Sequence, residues 1–125
     1  MVNVMVVEDD LLQAMDLQDA LQDRGHRVCG VANSGEQAVT LAQKRRPDIV
    51  IMDVRLNGRI DGVAAAKHIV SKRRCGLVFV TAHGDDKAMV SRMDDLVPDA
   101  VLLKPVNHRA LCAAIDFITA QGKPN

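Results

Sequence analysis

The stretches "IVIM" at 49–52 and "LVFV" at 77–80 constrain this chain more than any other feature, because each is apolar at every position. A strand wet on one side alternates apolar with polar residues; one that is apolar throughout has to be covered on both faces. Short, mainly apolar runs recur from Val2 to Val7, Arg27 to Ala32, Asp48 to Met52, Leu77 to Thr81 and Ala100 to Leu103. Helical spacing fills the gaps. Leu11, Leu12, Met15, Leu17 and Leu21 mark a first helix, and Ser34 with Gln37 opens a second as S-x-x-Q, closed near Arg45 and Arg46 before Pro47. Val63, Ala64, Ile69 and Val70 follow Asp61-Gly62 as a third, and Ala88 to Met93 mark a fourth. Asn107 caps a fifth, whose Leu111, Ala114, Ile115 and Ile118 form one stripe. Five strand-helix units predict a doubly wound α/β domain: a parallel sheet with helices on both sides.

The 125 residues fit one domain, with no linker, repeat or low-complexity tract to divide them. We read residues 1–121 as that domain and 122–125 as a tail. Sixteen basic and sixteen acidic residues cancel, so no overall field draws the chain to nucleic acid or to an anionic membrane. Its apolar runs fall far short of the roughly 20 residues that span a bilayer, and no basic-then-apolar leader opens it, so a cytoplasmic location is expected. Cys29, Cys75 and Cys112 are widely spaced and odd in number, which suggests neither a disulfide framework nor a zinc site.

Parallel crossovers are right-handed, so one end of such a sheet gathers the C-terminal ends of all its strands, and ligands bind there. Glu8, Asp9 and Asp10 follow the first run, Asp53 the third, Thr81 ends the fourth and Lys104-Pro105 follows the fifth. Each has a local explanation. Asp9 or Asp10 can cap a helix, Asp53 can start a turn with Asn57-Gly58 downstream, Thr81 suits a strand, and Lys104 can be a solvated charge. Their convergence on one rim is the stronger observation. Crowded carboxylates relieve their repulsion by raising a pKa or binding a cation, and an all-oxygen set with open positions suits Mg²⁺ together with phosphate. A carboxylate beside Mg²⁺ can form an acyl phosphate, with a lysine and a hydroxyl on the phosphoryl oxygens.

The pieces "VEDD", "DIVIMDVRLNGRIDG", "VFVTA" and "LLKP" resemble the receiver domain of two-component response regulators, over essentially the whole chain. The resemblance implies a five-stranded sheet of order 2-1-3-4-5 with five helices. It also implies that Asp53 accepts a phosphoryl group from a histidine kinase or histidine phosphotransfer protein. Glu8, Asp9, Asp53 and the backbone carbonyl of Arg55 would hold Mg²⁺ or Mn²⁺. Thr81 would be the switch hydroxyl and Lys104 the phosphate contact, with a cis Lys104-Pro105 bond. Asp10, one place beyond the acidic pair, is left as a helix cap. Such a domain is a stoichiometric phospho-acceptor that catalyses its own phosphorylation and dephosphorylation, not an enzyme with turnover, and it signals to a downstream protein through its α4-β5-α5 face.

Receivers commonly carry Tyr or Phe three residues before the lysine; here Val101 stands there. The usual threonine-aromatic coupling is therefore not expected. Arg55 and His83, two residues after Asp53 and Thr81, flank the path of attacking water in this family, so either they modulate the lifetime of the acyl phosphate or they point into solvent. In "NGRIDG", Gly58 and Gly62 are expected to take positive φ and Asp61 to cap the third helix. Three other functions fit the pattern less well. A degenerate receiver would lack part of the set Glu8, Asp9, Asp53, Thr81 and Lys104. A small aspartyl-phosphate phosphatase or phosphotransferase would usually place a second Asp where Arg55 stands. A flavin protein would need a phosphate loop after the first strand.

Overall fold

The computed structural model describes residues 2–122. Strands and helices alternate as β1 (Asn3–Val7), α1 (Leu11–Asp23), β2 (Arg27–Ala32), α2 (Gly35–Arg45), β3 (Ile49–Asp53), α3 (Gly62–Lys72), β4 (Gly76–Thr81), α4 (Lys87–Asp95), β5 (Ala100–Leu103) and α5 (His108–Ala120). The strands make one parallel sheet in the order β2-β1-β3-β4-β5, as expected. The order in which strands are added reverses beside β1, which opens a crevice at the C-terminal ends of β1 and β3. Residues 123–125 of the expected tail lie outside the described residues.

Each helix starts on a side chain that satisfies a backbone N–H the helix leaves unpaired. Asp10, Ser34, Asp61, Asp86 and Asn107 accept from the amides of Gln13, Gln37, Ala64, Met89 and Ala110. Gln37 completes the start of α2 by accepting from Asn33 N at 2.6 Å, one residue further back than a capping box requires. No helix of the described residues is long and apolar enough to cross a membrane.

The two-residue period of the strands sorts the core into two layers. Val4 and Val6, Ile49 and Ile51, and Val78 and Val80 pack with Leu17 and Leu21 of α1 and with Leu111, Ile115 and Ile118 of α5. Met5 and Val7, Val50 and Met52, and Leu77 and Phe79 face the other way, onto Ala38 of α2, Ala66 and Ile69 of α3 and Met93 of α4. This is why "IVIM" shows no alternation: both of its faces are core. The same parity carries Glu8 and Asp53 to the α1/α5 side, one step beyond Val6 and Ile51. Lys104 follows Ala100 and Leu102 to that side, whereas Thr81 follows Leu77 and Phe79 to the opposite one.

Glycine governs the exit from β3, though not in the way the sequence suggests. Gly58 does adopt a positive φ of 115°, but Gly62 stays outside the left-handed region. Its constraint is proximity. A Cβ at Gly62 would stand 1.8 Å from the carbonyl oxygen of Asp53, because Gly62 N donates to Val54 O at 2.9 Å and draws the start of α3 against the end of β3. Gly62→Ala is therefore expected to lower unfolding stability by about 3 kcal/mol, the upper part of the range for overpacking. Gly25→Ala, at φ 83° with open space around it, should lose only about 1–2 kcal/mol through its backbone conformation. Urea titrations of the two variants check the ranking; equal losses would refute the steric reading of Gly62.

Candidate functional site

Three carboxylates meet at the C-terminal rim of β1 and β3. Glu8 and Asp53 are each only 3% exposed, Asp9 is half-buried, and one oxygen from each lies within 4.8 Å of the others. Lys104 closes the group from β5, its Nζ standing 2.7 Å from Asp53 Oδ2 and 3.1 Å from Glu8 Oε1. The ladder brings it there, since Lys104 N donates to Thr81 O at 2.8 Å and so extends the β4–β5 pairing by one residue. The Lys104-Pro105 bond is cis, as the resemblance implies.

Backbone amides supply the remaining donors. Asp53 Oδ1 accepts from Arg55 N at 3.1 Å, Glu8 Oε2 from Asp10 N at 3.1 Å, and Asp9 Oδ2 from Asn57 N at 3.1 Å. The last of these ties the loop after β3 to the acidic pair. A second anchor holds the same loop, where Ile60 N donates to Glu36 Oε1 at 2.8 Å. Asp10 points away into its cap, as expected.

Electrostatics follow from burial and crowding. Burial, reinforced by the hydrogen bond to Asp53 and by that residue's charge, pushes the Glu8 carboxyl up to about 7. Burial opposes the charge of Lys104, but its hydrogen bonds to Asp53 and Glu8 prevail and hold its pKa above the ordinary lysine value. A cluster of hard oxygen donors in which Glu8 resists ionising is chemically suited to a divalent cation, which would favour the ionised form of Glu8.

Thr81 and Arg55 gather around a residue that the sequence reading passed over. The Thr81 hydroxyl donates to Asp85 Oδ2, Arg55 Nε donates to Asp85 Oδ1, and Ala82 N donates to Asp85 Oδ2 at 3.2 Å. The Asp85 side chain is 5% exposed whereas that of Arg55 is 56% exposed. Burial would raise the Asp85 pKa, but the hydrogen bonds from Thr81 and Arg55 outweigh it and leave the carboxyl below its usual range. One signal was available in the sequence. Of the adjacent acids Asp85 and Asp86, only one can cap α4, and Asp86 does so, which leaves Asp85 for other work. His83 lies exposed in the loop, and Val101 is 47% exposed on β5.

A doubly wound sheet of order 2-1-3-4-5, with three acids and a lysine on its C-terminal rim, defines a receiver domain of two-component signalling. The chain belongs to that family: the response regulator receiver domain pattern matches residues 4–116. It is 38% identical over 118 residues to the transcriptional regulatory protein PdtaR of Mycobacterium tuberculosis, an alignment covering 94% of this chain and 57% of that protein. It is 31% identical over 115 residues to the phyllosphere-induced regulator PhyR of Methylorubrum extorquens, covering 91% of this chain and 43% of that protein. The chain thus spans about half the length of the curated relatives it matches. Among solved structures, the receiver domain of a modulated diguanylate cyclase from Desulfovibrio desulfuricans superposes with a TM-score of 0.88 at 34% identity, covering 93% of this chain and 91% of that one. A double mutant of the anti-anti-sigma factor PhyR from Bartonella quintana gives 0.77 at 26% identity, covering 93% and 47%.

The raised Glu8 pKa has a sign that can be checked on protein stripped of metal with EDTA. Below the unfolded value of 4.5 Glu8 is protonated in both states and has no effect on stability; above about 7 it is ionised in both and the native state bears the cost of the buried charge. Wild type should therefore lose stability relative to Glu8→Gln as pH rises from 4.5 to about 7, with a constant gap beyond. Denaturant midpoints of both proteins across that window measure it. A gap independent of pH would refute the assignment.

Proposed function

We propose that this receiver is phosphorylated on Asp53 by a histidine kinase or histidine phosphotransfer protein and passes the signal on as a change of shape. The observation that carries the reading is Lys104 Nζ bound to both Asp53 and Glu8 inside a cluster of buried carboxylates. In this reading an Asp53 oxygen attacks the phosphorus of a phosphohistidine. A P–O bond forms, the P–N bond breaks, and its electron pair leaves with the imidazole. Glu8, Asp9, Asp53 and the Arg55 carbonyl would hold Mg²⁺, or Mn²⁺ in its place. The cation supplies neutralisation of charge on the phosphoryl oxygens.

The chain's own groups do the rest. Lys104 holds Asp53 in the rim through the contact of its Nζ with Oδ2, and its mobile ammonium can follow the charge onto a phosphoryl oxygen. Thr81 can donate to that group without adding charge. Water then attacks the phosphorus, the acyl P–O bond breaks, inorganic phosphate leaves and the carboxylate is restored. Arg55 and His83 border the approach and are assigned here as modulators of that step. The chain is on this account a stoichiometric acceptor working in the cytoplasm, with residues 1–121 as the receiver and 122–125 as a tail. It acts on a protein target, with no direct contact to nucleic acid or membrane.

The readout is assigned to the α4-β5-α5 face, where Val90, Val101, Leu103 and Phe117 are exposed. With Val101 in place of an aromatic ring, the relay has to run through aliphatic repacking and the loop before α4. The hydrolase alternative is disfavoured because the position it needs for a second acid carries Arg55, whose guanidinium is engaged by Asp85.

Incubation with acetyl phosphate, with and without Mg²⁺, followed by intact-mass analysis tests the acceptor. Wild type should gain one phosphoryl group only with Mg²⁺, and Asp53→Asn should gain none. An equal adduct on the variant would refute Asp53. Arg55→Ala and His83→Ala should each change the half-life of the adduct several-fold, and unchanged half-lives in both would remove them as modulators.

A further inference from the structure

We infer that Asp85 is an internal competitor for the phosphoryl group, a positioning residue that holds Thr81 and Arg55 on itself while Asp53 is unmodified. The inference rests on the acceptor reading above. Its basis is the identity of the donors that converge on one carboxylate: a hydroxyl from Thr81, a backbone N–H from Ala82 and a guanidinium from Arg55. Those are the donor types that bind a phosphoryl oxygen, and all three come from residues on the C-terminal rim. The Asp85 side chain is almost fully enclosed although its loop is exposed, so its contacts are made within the protein more than with water.

Strand parity explains why the competition is possible. Asp53 follows Ile51 toward the α1/α5 side and Thr81 follows Phe79 toward the opposite side, so the hydroxyl does not meet the acceptor by default. Asp53 is bonded to Lys104 and to Arg55 N, and the Thr81 hydroxyl goes to Asp85. Arg55 is divided in the same way. Its backbone N–H serves Asp53 and its side chain serves Asp85, so the guanidinium has to leave one anion to reach another.

A dianionic group on Asp53 would meet Thr81 and Arg55 as a second, more highly charged acceptor. Donors cannot satisfy both anions at full strength, and the population shifts toward whichever binds them better. Release of Asp85 would also free the turn that leads into α4, because Asp86, the next residue, is the α4 cap. The competitor therefore sets two quantities together: the affinity of the rim for a phosphoryl group and the position of the loop that precedes α4.

Titration with beryllofluoride, a non-covalent phosphoryl mimic, in Mg²⁺ tests this on wild type, Asp85→Asn and Asp85→Ala. Thermal unfolding of each variant checks that the fold is kept. Removing the charge, or the whole acceptor, should tighten binding on the order of ten-fold, the scale of one charge-assisted hydrogen bond freed from competition. The Thr81 and Ala82 amide resonances of the unliganded variants should move toward their positions in liganded wild type, which mere loosening of the loop would not produce. In an Arg55→Ala, Thr81→Val background the same Asp85 substitutions should give no gain. Unchanged or weaker binding by both folded variants, beside normal binding by wild type, overturns the competitor and leaves the acceptor reading intact. No binding and no acetyl phosphate adduct on wild type overturns both.

Discussion

Two ionisable acids buried side by side at the end of a parallel sheet are the constraint to which the rest of the rim answers. A carboxylate removed from water is costly unless it is paired and hydrogen-bonded, and two of them repel as well. Here the cost is met in three ways. Lys104 bridges Glu8 and Asp53, backbone amides of Asp10 and Arg55 donate to one oxygen of each, and Glu8 holds its proton up to about pH 7. The first two devices also fix pieces of backbone. The lysine fixes the exit of β5, the Asp10 amide the turn into α1, and the Arg55 amide the first step of the loop after β3. The site is therefore part of what orders the loops around it.

How those acids reach one another was legible in the sequence, because strand parity is countable. Continuous apolar runs such as "IVIM" indicated strands covered on both faces, and an acid immediately after two such runs had to lie at a common rim. The helix starts were equally readable, since Ser34, Asp61 and Asn107 each precede an apolar stripe at the right distance. The fourth helix was less so. Its stripe is thin, and only Met93 of its residues is buried, so the sequence marked it from Ala88 while Asp86 caps it from Lys87.

What the sequence concealed were contacts between loops, where no periodicity operates. Gly62 was expected to serve a turn through its φ, whereas it is glycine because the carbonyl of Asp53 occupies the space a side chain would need. Asp85 stood out in the sequence only as the acid left over beside a cap, because its partners Thr81 and Arg55 lie on different strand exits, 4 and 30 residues away. Asn57, read only as part of a turn with Gly58, also donates its amide to Asp9. Spacing rules describe neighbours along an element, and these pairs are neighbours only once the sheet has assembled.

The division of the core into two layers has an evolutionary consequence. Side chains of α1 and α5 touch the face from which Glu8, Asp53 and Lys104 emerge; those of α2, α3 and α4 touch the other face, and the sheet between them is one backbone thick. Substitutions in one layer are screened from the other by that wall of hydrogen-bonded strands. A lineage can thus remodel the α2–α4 side, and with it the molecules it meets, while inheriting the carboxylates and lysine of the rim unaltered. Thr81 is where that separation ends, since it belongs to the second layer by parity and to the rim by position.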